Sequence, residues 1–319
     1  MTAVLPAAPG SHALPDAETV YRPDRPLDLP GILGLLGRGP FDPTTQWDLG
    51  GMWRTWRTPL GAATLRIHRP ASDGSIPAAA WGPGAAWAIE ALPGLLGHGD
   101  DWSGLDVSSH PLLRGSLHRN PGLRLSRTGL LLEALLPAIV EQRVTSLEAY
   151  RSWARLLRWY GEPAPGPGPT ELRVVPTIEQ WRGIPSWDWH RAGVDPRRAR
   201  AAQAVLAVAP SLERAVAQAG SLDAASIALR TIPGVGQWTT AETLQRSHAH
   251  PDLVSVGDYH LAHYVGEALI GRRVDDDGML ELLEPWAGHR QRVVRLILAS
   301  GFRFERRGPR LAVQDHRWH

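Results

Sequence analysis

The stretch "IPGVGQWTTAETL" (Ile232–Leu244) sets two glycines one residue apart between two helical patterns. Ser221 and Asp223 open the first helix, which runs to about Arg230, and Gln237 starts the second, which reaches about Ser247. Gly234 and Gly236 allow positive φ and leave the turn free of side chains. Because the second helix restarts at once, its first amides have no partner within it and point out of the turn. Such a nest attracts an anion, and a nucleic-acid phosphate is the obvious one. A lone Gly-x-Gly is often a plain tight turn; Ile232-Pro233 before it and a helix on each side make the pattern more specific.

The second marked residue is Asp258 in "SVGDYHLAHYVG", 24 positions beyond Gly234. It precedes a helix with an apolar face of Leu261, Tyr264, Val265, Ala268 and Leu269, closed by Gly271. An aspartate here is an ordinary N-cap. It is also a carboxylate held at a fixed place, and spacing alone does not choose between cap and catalyst.

Around this centre the chain divides into three parts. Residues 1–28 are rich in Pro and Ala without periodicity and are expected to form a loosely ordered leader. Residues 29–110 read as a small antiparallel α/β domain, with strand patterns at Met52–Thr58 and Ala62–His68 and a short helix in Pro83–Gly97. Residues 111–319 read as all-α, so the fold class is α+β, with a mainly helical domain centred on the helix–hairpin–helix. Within it, Pro137 kinks an apolar helix or opens a new one. Thr145 and Glu148 form a capping box ahead of Leu147, Tyr150, Trp153, Leu157 and Tyr160 on one face. "GEPAPGPGP" (Gly161–Pro169) reads as a surface loop, Asp195-Pro196 as a helix start, and His289–Ser300 as the last helix.

Two absences carry chemical weight. The chain has no cysteine, which excludes disulfides, thiolate zinc sites and iron–sulfur clusters. It also has no lysine, so all 34 basic residues are arginines and no lysine amine can form a Schiff base. A high-GC genome would produce that bias without any functional cause. Net charge is only +2, so the chain is no polycation, although a pI near 9.4 leaves room for a basic face. No apolar run reaches the length of a membrane span, and a cytoplasmic protein is expected, in the bacterial nucleoid if its partner is DNA.

The hairpin followed at this distance by "VGDYHL" resembles the signature of the helix–hairpin–helix DNA glycosylase superfamily, most of all its 3-methyladenine DNA glycosylase II branch. "PGLRLSRTGLLLEALLPAIVEQRVTS" (Pro121–Ser146) is similar to that branch's helix-plus-Gln segment, and the mixed N-terminal part corresponds to its extra domain. The resemblance implies that Asp258 is the catalytic aspartate. It implies that Gly234, Gly236, Gln237, Trp238 and Thr239 lie along the DNA backbone, and that Gln142 and Arg143 occupy the segment that wedges into the duplex. Arg143 stands where an apolar wedge is usual. The resemblance further implies a monovalent cation, Na+ or K+, on the carbonyls of Arg230, Ile232 and Gly234, with no cofactor for catalysis. Trp238 occupies the position of the lysine in relatives that also cut the backbone, which implies a monofunctional enzyme.

The pocket departs from the branch. Glu242 lies where members carry a tyrosine, and no tryptophan matches near Arg295. Candidates for the pocket are Trp187, Trp189, Glu242, Tyr259 and Trp286; each tryptophan could equally be a packing residue. His260 and His263 have i, i+3 spacing without an evident third ligand, "DDDG" (Asp275–Gly278) lacks the later ligands of a calcium loop and reads as a helix start, and Arg303–Arg310 could meet phosphate or solvent. The expected activity is hydrolysis of alkylated purines (3-methyladenine, 7-methylguanine type) from double-stranded DNA by a monomer. A non-catalytic damage reader, or a glycosylase for deaminated or oxidised bases, remains open.

Overall fold

The computed structural model describes residues 14–303. The first part of the expected leader and most of the Arg303–Arg310 segment lie outside the described residues. A five-stranded antiparallel sheet is built from β1 (Ala17–Tyr21), β2 (Thr45–Asp48), β3 (Gly51–Thr58), β4 (Gly61–His68) and β5 (Ile76–Trp81) in the order β1-β5-β4-β3-β2. The first strand corrects the expectation of a loosely ordered leader up to residue 28. Its alternation is short and carries few β-branched residues, and it is held by the ladder to β5, from Ala17 against Ala80 to Tyr21 against Ile76. One face of the sheet packs Met52, Trp56, Leu65 and Ile67 against α1 (Leu29–Leu33) and α2 (Ala85–Leu95).

The helices that follow are α3 (Pro111–Arg119), α4 (Leu131–Val140), α5 (Ser146–Tyr160), α6 (Ile178–Arg182), α7 (Ser186–Ala192), α8 (Pro196–Ala217), α9 (Leu222–Arg230), α10 (Gln237–Ser247), α11 (Leu261–Ile270), α12 (Asp276–Leu283) and α13 (Arg290–Ala299). Pro137 sits inside α4, and the Thr145–Glu148 capping box opens α5 with both reciprocal bonds made. Leu147 faces outward on α5, whereas Ala149, Trp153, Leu156 and Leu157 face the core.

The buried apolar residues of the helical part form two clusters. Helices α4 to α10 share a core that includes Leu135, Trp153, Leu206, Leu229 and Leu244. Helices α3, α11, α12 and α13 share another, with Leu113, Val265, Leu283 and Ile297. Leu105 and Val107, from the segment read as the α/β domain, join this second helical cluster, while Leu130 joins the cluster of the sheet. The loop Gly161–Pro169 is less of a free surface loop than its composition implies. It carries β6 (Glu162–Pro163), which pairs with β7 (Arg173–Val174), and Gly166 lies against the Trp81 ring on the second face of the sheet.

The seam between sheet and helices holds a buried carboxylate, Glu133 of α4. Its Oε1 accepts the Arg57 N–H at 2.5 Å, and Oε2 lies 4.0 Å from Arg54 Nη2. Burial outweighs the attraction of Arg54 and pushes the Glu133 carboxyl up to about 7. The folded protein therefore keeps this proton at pH values where the unfolded chain has lost it. The resulting stability is complete below the ordinary glutamate value and is lost as pH rises towards about 7. Urea unfolding should show native stability falling by up to ~3 kcal/mol from about pH 5 to about pH 8 through this group. Glu133→Gln should flatten that fall, and an unchanged slope in the variant would refute the assignment.

Candidate functional site

The hairpin is anchored by the residues it buries. Ile232 and Val235 enter the core shared by α4 to α10, and the Val235 N–H donates to the Ile232 carbonyl at 3.0 Å, closing the turn. Pro233, Gly234, Gly236 and Gln237 are left exposed. Gly234 has φ +89, and a Cβ there would sit 2.6 Å from the Ala201 Cβ, so both conformation and space require glycine. Gly236 is the N-cap of α10 and offers no side chain to its first turn, leaving the amides of Gln237, Trp238 and Thr239 free for an external acceptor.

Gln142 leaves the end of α4 and reaches this turn. Its Nε2 donates to the Gly234 carbonyl at 2.9 Å and to Thr239 Oγ1 at 2.8 Å. The side chain thus braces the hairpin. Arg143 beside it is exposed and has φ +56, a left-handed backbone that costs a non-glycine residue about 1–2 kcal/mol. Such strain at an exposed arginine beside the residue that braces the hairpin marks a position worth testing for function.

Asp258 belongs to the other helical core, at the start of α11, and faces back to α10. Its Oδ1 accepts the N–H groups of His260 and Leu261 at 2.9 and 3.0 Å, so the carboxylate is a cap. Its Oδ2 accepts from Trp238 Nε1 at 3.4 Å, so the same carboxylate also meets the first turn behind the hairpin. One carboxylate thus joins the approach to α11 to the first turn of α10. The carboxylate and the indole meet between the start of α11 and the first turn of α10.

The pocket candidates fare unevenly. Tyr259 adjoins Asp258, is 74% exposed, and packs its ring edge-on to His260 at 4.7 Å, leaving a face open for stacking. Glu242 is not open: Oε2 is paired with Arg246 at 2.6 Å and Oε1 accepts from Ser255 Oγ at 2.5 Å. Burial opposes its charge, but Arg246 and the Ser255 hydroxyl hold the Glu242 carboxyl below its ordinary value. Trp189 is only 1% exposed and stacks on Trp181 at 5.6 Å, while Trp181 stacks on Trp153 at 5.8 Å. It is a core residue and no pocket wall. Trp187, two positions earlier, is 65% exposed on α7, which packs on α5 and α8. Trp286 donates Nε1 to the Asp106 carbonyl at 2.7 Å and packs on the C-terminal helical core.

His263 Nδ1 lies 2.8 Å from the Val274 carbonyl, and no cluster of three metal-ligating side chains occurs among the described residues. Asp275 caps α12, as the sequence pattern indicates. The bracing role of Gln142 and the buried pairing of Glu242 were not visible in the sequence, because each depends on a partner about 90 residues away or on which face of α10 is covered.

These geometries separate the two glycines. Gly234→Ala should lower stability by at least about 1–2 kcal/mol from backbone strain alone, with the Ala201 contact adding to it. Gly236→Leu, whose Cβ would meet nothing within 4 Å, should cost less than about 1 kcal/mol. Equal losses in thermal unfolding would contradict the placement of the turn.

No family model matches the chain, and no curated protein matches it. Solved structures do. The 3-methyladenine DNA-glycosylase from Archaeoglobus fulgidus superposes with a TM-score of 0.70 at 15% identity, over 89% of this chain and 99% of that one. The apo 8-oxoguanine glycosylase/lyase of Clostridium acetobutylicum gives 0.69 at 12% identity, over 89% and 96%. The same Clostridium enzyme bound to double-stranded DNA with cytosine opposite 8-oxoG gives 0.67 at 11%, over 89% and 94%. The chain therefore has the fold of the helix–hairpin–helix DNA glycosylases, an α+β architecture in which a small antiparallel sheet stands beside the helical body that carries the hairpin and Asp258.

Proposed function

We propose that the chain is a monofunctional DNA glycosylase that flips alkylated purines, of the 3-methyladenine and 7-methylguanine type, out of double-stranded DNA and hydrolyses them to leave an abasic site. The observation that carries this reading is the meeting of Asp258 with Trp238, one turn behind an exposed hairpin. The hairpin amides would take up phosphate without reading sequence, and the target base would leave the stack because its sugar cannot be reached inside the duplex.

Breaking the N-glycosidic bond sends its electron pair to the base and leaves an oxocarbenium-like sugar. The Asp258 carboxylate would stabilise that developing charge. Water then bonds to the sugar carbon and its proton passes to Asp258 or to solvent. An N3- or N7-alkylated purine is cationic and departs neutral, so no acid is needed at the base. Lyase chemistry calls for an amine nucleophile; the Trp238 indole is none, and the sequence contains no lysine.

The carbonyls of Arg230, Ile232 and Gly234 would be the ligands of a monovalent cation. The Ile232 and Gly234 carbonyls accept the Val235 N–H and Gln142 Nε2, and a carbonyl has a second lone pair to offer. Na+ or K+ held there would add positive charge beside the phosphate. Tyr259 is the pocket candidate with an open ring beside Asp258, and Arg143 the candidate for filling the gap left by the flipped base. No described helix is long and apolar enough to cross a membrane, and the protein would act as a monomer in the cytoplasmic nucleoid.

The deciding measurement is release of free base from methylated duplex DNA. The native protein should release it, and Asp258→Asn should lose about 2–4 kcal/mol of transition-state stabilisation, some 10²–10³ in rate, while still binding DNA that carries an abasic-site analogue. Tight binding without release by the native protein would favour a different lesion or a non-catalytic reader. Gly236→Leu should weaken binding to the abasic-analogue duplex, and unchanged affinity would remove the hairpin from the interface. Borohydride should trap no covalent protein–DNA adduct; a trapped species would overturn the monofunctional reading.

A further inference from the structure

Asp276 stands at the first position of α12, in a run of three aspartates that the helix only partly uses. Asp275 is the cap, with Oδ1 accepting the Gly278 N–H at 2.9 Å. Asp276 turns away from its own helix and accepts the Gly257 N–H on Oδ2 at 3.1 Å, across to the residue immediately before Asp258. Its Oδ1 is shielded from solvent and has no hydrogen-bond partner among the described residues. An unpaired buried carboxylate oxygen is unfavourable, so capping alone does not explain why this side chain lies where it does.

What it holds is a turn that packing does not impose. Gly257 has φ +90, and a Cβ there would meet nothing within 4 Å. The other end of the turn is tied down. Ser255 Oγ is bonded to Glu242 Oε1 at 2.5 Å and receives Gln245 Nε2 at 3.3 Å, and the Ser255 carbonyl accepts the Asp258 N–H at 3.1 Å. Between these α10 anchors and Asp258, Gly257 is the pivot, and its amide is the group that Asp276 grips.

We propose that Asp276 is a positioning residue: by holding the Gly257 N–H it fixes the left-handed turn that aims the Asp258 carboxylate at the sugar. The inference rests on the reading of Asp258 as the catalytic group. Misplacing a reacting group by about 1 Å can cost on the order of 10²-fold in rate without loss of binding.

The test compares Asp276→Ala, Asp276→Asn and Asp277→Ala in single-turnover release of base from methylated duplex DNA, alongside affinity for abasic-analogue duplex. Asp276→Ala should slow release by about 10- to 100-fold and leave the affinity unchanged. Asp276→Asn, whose amide oxygen can accept the same N–H, should restore most of the rate. Asp277→Ala removes a charge from the same helix end without touching Gly257 and should behave as native. A native rate in Asp276→Ala, an equally slow Asn variant, or an equal loss in Asp277→Ala would each overturn the proposal. Hydrogen exchange at the Gly257 amide is read in the same proteins and should quicken in Asp276→Ala alone. Unchanged exchange would also overturn the contact. If the native protein releases no methylated base, the substrate reading fails, and the exchange result still decides whether Asp276 holds the turn.

Discussion

Three arginines, two buried and one half-buried, come one from each core and donate to carbonyls of a single short helical segment, residues 29–36. Arg54 of β3 donates to the Leu36 carbonyl at 3.2 Å, Arg246 of α10 to Leu35 at 3.1 Å, and Arg295 of α13 to Gly31 at 2.6 Å. These are carbonyls that a helix end leaves without partners, and positive charge is favoured there. The guanidinium suits the task because it offers several donors in one plane and resists neutralisation when buried. Burial, with Arg246 nearby, brings Arg295 down to about 10. Burial opposes the charge on Arg246 as well, but Glu242 outweighs it and its affinity for the proton is raised. The sheet and both helical cores are thereby referred to one common segment.

That constraint reaches the candidate site through Arg246. The arginine that fixes α10 against residues 29–36 is paired with Glu242, and Glu242 in turn holds Ser255, three residues before Asp258. One turn away on α10, Trp238 meets Asp258 directly. The departure of Glu242 from an aromatic pocket residue thus has a structural sense. Its carboxylate is committed to Arg246 and to Ser255 on the approach to the Asp258 turn, which leaves it no free face. Arg38 adds a further buried tie, from the segment after residue 36 to Glu141 at 2.5 Å, at the end of α4 and one residue before Gln142. The segment that braces the hairpin is therefore held on both sides.

Features set by near neighbours along the chain are legible in the sequence. The hairpin bounds, the capping box at Thr145, the cap at Asp195 and the start of α12 all depend on groups within a few residues of one another. What failed was long-range. A tryptophan at helical spacing does not say whether it faces a pocket or a core, and Trp189 stacks inside while Trp187 stands out. β1 has too little pattern of its own to be seen without β5, and the split of the helical part into two cores follows from Leu105, Val107 and Leu113 joining helices almost 200 residues later.

The helix–hairpin–helix, the residue types at its turn, the lack of any lysine or thiol, and the carboxylate just ahead of α11 are legible in the chain, since caps, glycines and composition are local properties. The meeting of Asp258 with Trp238, the bracing of the hairpin by Gln142 and the ion pair of Glu242 arise only in the folded molecule. Each of those depends on two surfaces being brought within a few ångströms, and that placement is set by the arginines and apolar side chains buried between the three cores.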